Sequence, residues 1–115
     1  LEQACRACDN HLAEHGEGEP DRYYLANLNF HRLVAVSSHN PVLFEMIKVN
    51  ARKLLAYYRA RYRYKGSIPK SVLEHRQIAG LIIDRDSAAA EELMVSHVMF
   101  DSVTAMDLIA VLSRR

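Results

Sequence analysis

A chain of 115 residues, half hydrophobic and a quarter charged, is sized for one domain with one core. Fifteen basic against fourteen acidic side chains leave a net charge of +1, which gives no general pull toward nucleic acid or a membrane surface. No apolar run approaches the roughly 18 residues of a membrane span, the polar start Leu1-Glu2-Gln3 lacks the apolar run expected of a signal peptide, and two cysteines are too few for a disulfide framework. A cytoplasmic location is the expectation. A start at Leu rather than Met predicts a fragment of a longer protein.

Residues 1–15 read as a first helix, ended by Gly16, Gly18 and Pro20. Residues 21–38 place Tyr24, Leu28, Val34 and Ala35 on one side of a second helix. Asn40-Pro41 reads as a helix start, with Asn able to cap and Pro lacking only an N–H that would be orphaned anyway. Over 41–64, Phe44, Ile47, Ala51, Leu54, Leu55, Tyr58 and Tyr62 fall together. Gly66 to Pro69 form the next break, and Ser71-x-x-Glu74 reads as a capping box for a helix over 71–84 carrying Val72, Ile78, Ala79, Ile82 and Ile83. Gly80 costs that helix about 1 kcal/mol relative to Ala. Asp86 or Ser87 can cap a last helix over 87–112, with Ala90, Leu93, Met94, Val98, Leu108 and Leu112 inward. The expected fold is all-α, a single antiparallel bundle of about five helices with short loops.

Six histidines direct attention to polar groups on the apolar faces. Asn27 and His31 are one helical turn apart on the face of Tyr24, Leu28 and Ala35. His75 and His97 lie eleven residues on either side of Asp86, the turn between their helices. In an antiparallel hairpin equal offsets bring both to one height, roughly 16 Å from the turn. A single inward histidine is usually a hydrogen-bonded core residue. Four inward polar groups on three helices can also close around one divalent ion, and imidazole suits zinc, nickel, copper and iron.

The segments Asn27-Leu-Asn-Phe30-His31, Ser37-Ser-His-Asn40-Pro41, Glu74-His75-Arg76-Gln-Ile78, Arg85-Asp86 with Ala88, and Met94 with His97 carry a family resemblance. In order and spacing, over roughly residues 3–100, the chain resembles the FCD domain, the C-terminal effector-binding domain of GntR regulators of the FadR subfamily. The resemblance implies an antiparallel helical bundle. It implies a divalent metal, zinc or nickel, held by Asn27, His31, His75 and His97. It also implies a small carboxylate effector, a homodimer in the full-length protein, and action on DNA only through a winged-helix domain not in this chain. Catalysis is not implied.

Two departures stand out. The family's usual oxygen ligand is Asp, and Asn27 leaves the site one unit more positive, which favours an anionic effector as an additional ligand. The family's domain also starts one helix earlier, so residues 1–15 resemble its second helix and an open apolar groove is expected.

Other features have competing readings. Arg52, near the middle of its helix, is a candidate bidentate partner for an effector carboxylate or else a solvated cation. Tyr58 is a core tyrosine or an effector hydrogen-bond donor. The run Tyr57 to Lys65 mixes cations and rings as a nucleic-acid patch would, but a helix scatters them round its circumference, so alternate tyrosines packing inward is the simpler expectation. Cys5-x-x-Cys8-x-x-His11-x-x-x-His15 cannot converge on one ion from one continuous helix and reads as helix surface. A small His-rich metalloenzyme would need a general base, and Glu74, beside His75, is expected to point elsewhere. A structural interaction domain with core histidines is the third reading.

Overall fold

A computed structural model of the chain describes residues 1–37, 39–98 and 109–110. The described residues are all-helical: α1 Glu2–His15, α2 Pro20–Ser37, α3 Pro41–Lys53, α4 Leu55–Arg61, α5 Ser67–Ile83 and α6 Ser87–Val98. The count is six rather than about five because the segment expected as one helix over 41–64 breaks at Leu54, whose backbone (φ −102°, ψ 11°) leaves the helical basin. The break re-aims the chain. Among the described side chains none of α3 is in the buried core, whereas Tyr57 of α4 and Tyr62 just beyond it are buried.

The fifth helix starts earlier than expected. Gly66 supplies a left-handed residue (φ 85°), a conformation open to glycine at no steric cost. Pro69 then falls in the first turn, where its missing N–H would have had no partner. Ser71 is therefore mid-helix and not a cap: its hydroxyl accepts from Tyr23 Oη at 2.7 Å, a buried bond that ties α2 to α5. At the other end of α5 the chain turns through three residues. The N–H groups of Asp86 and Arg85 donate to the carbonyls of Leu81 and Ile82 at 2.9 and 3.1 Å, with Arg85 left-handed at φ 60°, the pairing that closes a helix C-terminus. Asp86 Oδ1 then caps α6 by accepting from Ala89 N–H at 3.2 Å. Leu108 and Leu112, expected on the same helix, lie outside the described residues.

α2 is the hub, packing against α1, α3, α4 and α5, while α5 also packs against α1 and α6. Two apolar clusters form. One contains Cys8, Tyr23, Tyr24, Tyr62, Ile68 and Val72; the other contains Ala4, Phe30, Ile78 and Ala79. Along α2 and α5, Asn27 and His75 fall between the two clusters, so a polar layer sits inside the bundle. Cys8 is fully buried, which corrects the helix-surface reading of the Cys5–His15 motif; His11 Nε2 bonds the Gly18 carbonyl at 2.9 Å instead.

Phe30 floors the polar layer. It is fully buried, and its ring stacks on that of His75 with centroids 4.1 Å apart and planes 16° from parallel. Phe30→Ala opens a cavity under His75 and is expected to cost about 3–5 kcal/mol of stability in urea denaturation; a loss below about 1 kcal/mol, the size of an average substitution, contradicts this packing.

Candidate metal centre

Each histidine reaches the layer from a different helix. His31 comes from α2, His75 from α5 and His97 from α6. His75 and His97 are 1% and 2% exposed, His31 half-buried. Their Nε2 atoms converge: His75 to His97 is 3.0 Å and His97 to His31 is 3.2 Å. One nitrogen from each ring lies within 4.8 Å of the other two. Metal–nitrogen bonds of about 2.0–2.1 Å put ligand atoms roughly 2.8–3.4 Å apart at octahedral to tetrahedral angles. The three histidines therefore have the spacing of a metal site. Among the described residues, no other group of three or more His, Cys, Asp or Glu side chains converges in this way.

The surroundings fix each ring. The His31 and His97 rings are nearly parallel, with centroids 5.1 Å apart and planes at 14°. Ser71 Oγ stands 3.4 Å from His75 Nε2. His97 Nδ1 faces Glu74 Oε1 at 3.3 Å. A carboxylate only accepts, so Nδ1 carries the proton and Nε2 presents a lone pair to the other two rings. Glu74 thus reaches the site from the far side of His97, which corrects the expectation that it points elsewhere. Among the described residues, two buried side-chain atoms have no hydrogen-bond partner, Asn27 Oδ1 and His75 Nδ1. Imidazole nitrogens and a neutral amide oxygen are donor types that a divalent ion accepts.

Burial dominates the electrostatics. It pushes the His31 imidazole down to about 3, with the His97 and Arg61 charges adding to the effect. It pushes His75 down to about 2, helped by His31 and His97, and His97 to about 4, helped by Arg61 and Lys70. At neutral pH all three rings are uncharged and able to donate a lone pair.

A cavity of about 460 Å³ adjoins the histidines, with Asn27, His31 and His97 in its wall. Tyr58 lines it, and its hydroxyl donates to the Val98 carbonyl at 3.3 Å. Arg52 does not: it is exposed, because α3 turns Ile47, Asn50, Ala51 and Leu54 toward the cavity and Arg52 falls off that stripe. The arginine that does line the cavity is Arg61, whose Nη1 donates to the His97 carbonyl at 2.9 Å. Leu54, Tyr58 and Arg61 share one face at helical spacing, a signal available in the sequence and passed over for Arg52. In the run from Tyr57 to Lys65, Arg59 and Arg63 pair with Asp21 at 3.2 and 3.0 Å, and Tyr57 and Tyr62 are buried.

Comparison with protein families matches the FCD domain over residues 1–100. The chain belongs to the FCD domain family. FCD domains are the C-terminal effector-binding domains of GntR regulators, where they act as ligand-sensing partners of a DNA-binding domain. No curated protein and no solved structure matched the chain. No helix among the described residues of this FCD domain is long and apolar enough to cross a membrane.

The depressed histidines set a pH dependence in the metal-free protein. Each folded pKa lies below the unfolded value of about 6.5, so the unfolded chain binds protons first as pH falls and stability rises with pH. In excess chelator, unfolding free energy is expected to be constant above about pH 7. It then falls below about pH 6.5, down to the folded values of about 4 for His97, 3 for His31 and 2 for His75, by as much as about 1.4 kcal/mol per pH unit for each histidine. Urea titrations across this range check it; a flat profile would show the three rings to be solvated.

Proposed function

We propose that this FCD domain senses a small carboxylate through a divalent ion held by His31, His75 and His97, with Asn27 Oδ1 as the fourth protein ligand. Zinc or nickel fits three imidazoles and a neutral oxygen. The observation that carries the reading is the meeting of three uncharged Nε2 atoms from three helices at 3.0 and 3.2 Å. The ion supplies a Lewis-acidic centre for an anionic oxygen, and Arg61 and Tyr58 place a guanidinium and a phenol in the same cavity wall. Effector binding then modulates DNA binding by a winged-helix domain elsewhere in a full-length, homodimeric, cytoplasmic regulator. The site works as an anchor, not as a catalyst: Glu74 is engaged on the Nδ1 side of His97 rather than facing the Nε2 cluster as a general base.

His75→Ala and His97→Ala are expected to abolish stoichiometric zinc in elemental analysis. They should also remove the rise in Tm on adding zinc, which in the parent reaches about 2.7 kcal/mol of stabilisation at a hundredfold excess over Kd. Full zinc content in either variant would place the metal elsewhere. Asn27→Asp restores a carboxylate ligand and lowers the site charge by one. It is expected to retain zinc and to weaken carboxylate binding at least several-fold in calorimetry, since roughly 1 kcal/mol for one charge in bulk water is a lower bound at a buried site. Unchanged or tighter carboxylate binding sinks the charge argument.

A further inference from the structure

We infer that the effector is a monocarboxylate with an apolar body rather than a di- or tricarboxylate or a polyhydroxy acid. The inference rests on the proposed metal-anchored carboxylate reading and adds the other half of the ligand. The cavity of about 460 Å³ lies within the range of small-molecule sites, roughly 300–1,000 Å³. Several of its polar groups meet α6. His97 Nε2 is 3.2 Å from His31 Nε2, Arg61 donates to the His97 carbonyl, and Tyr58 donates to the carbonyl of the next residue, Val98. The wall also holds Leu28 and Val34 of α2, Ile47 and Ala51 of α3, Leu54, and Met94 of α6, together with the rings of Tyr24 and Tyr62. Asn50, exposed on α3, is the polar side chain that α3 contributes.

Such a wall rewards one charged head and an apolar remainder. A second or third carboxylate, or a row of hydroxyls, would meet mostly aliphatic side chains among the described residues and find few donors, and each unpaired buried group lowers affinity. An aliphatic or aromatic body instead displaces water from apolar surface, tightening binding about fourfold for each methylene buried. Met94, unbranched and polarisable, can re-pack around bodies of different shape.

Calorimetric titration of the zinc-loaded chain with butanoate, octanoate, citrate and 1-octanol tests the inference. Octanoate is expected to bind on the order of a hundredfold more tightly than butanoate, from four added methylenes, and more tightly than citrate or 1-octanol. Ala51→Phe narrows the apolar end and is expected to lower octanoate affinity about tenfold while zinc content stays stoichiometric. Citrate binding tighter than octanoate, or octanoate unaffected by Ala51→Phe, overturns the apolar-body inference and leaves the metal-anchored reading in place. Octanol matching octanoate overturns both, because the carboxylate head then contributes nothing.

Discussion

Three uncharged imidazoles meeting Nε2 to Nε2 inside a helical bundle are the constraint on which the rest of this domain turns. His31, His75 and His97 are held at 3.0 and 3.2 Å between two apolar clusters, where a protonated ring would lack solvent and face its neighbours' like charge. Neutrality leaves each ring one N–H and one lone pair, too few donors to satisfy three facing nitrogens and the orphaned Asn27 oxygen. Leaving such groups unmatched in a core is costly, and the divalent ion proposed above would satisfy all four at once.

The packing around the layer serves that geometry. Phe30 lies flat against His75, and Tyr23 holds the Ser71 hydroxyl that faces the same ring. Glu74 sets the tautomer of His97. Arg61 and Tyr58 reach from α4 to the His97 and Val98 carbonyls of α6. A molecule filling the adjoining cavity touches α2, α3, α4 and α6 together. Differential contact with several helices is what a ligand needs in order to bias one arrangement of a bundle over another.

Much of this was legible in the sequence, for identifiable reasons. Helical periodicity and the breaks at Gly16–Pro20, Asn40-Pro41 and Gly66–Pro69 located the helices, because backbone punctuation is local chemistry. Equal offsets about Asp86 predicted that His75 and His97 share a level, because a tight hairpin turn fixes the register of its arms. Other features were decided by tertiary packing. The break at Leu54 has no Gly or Pro to announce it; it follows from the need to bury Tyr57 and Tyr62. Ser71 and Glu74 fit a capping box by spacing, yet both are mid-helix because Gly66 starts α5 earlier, and their side chains serve His75 and His97 instead. Arg52 and Arg61 carry the same charge, and helical phase about Leu54 and Tyr58 is what separates the exposed Arg52 from the cavity-lining Arg61. Cys8, Tyr23 and Phe30 are the deepest core residues on their helices, and only the neighbouring helices reveal it.

X-ray absorption of the zinc-loaded protein at the zinc edge tests the central claim most directly. The account predicts a first shell of nitrogen and oxygen at about 2.0–2.1 Å, with the outer-shell scattering of three imidazoles. A sulfur shell at about 2.3 Å, or a shell of water oxygens without imidazole scattering, would contradict it.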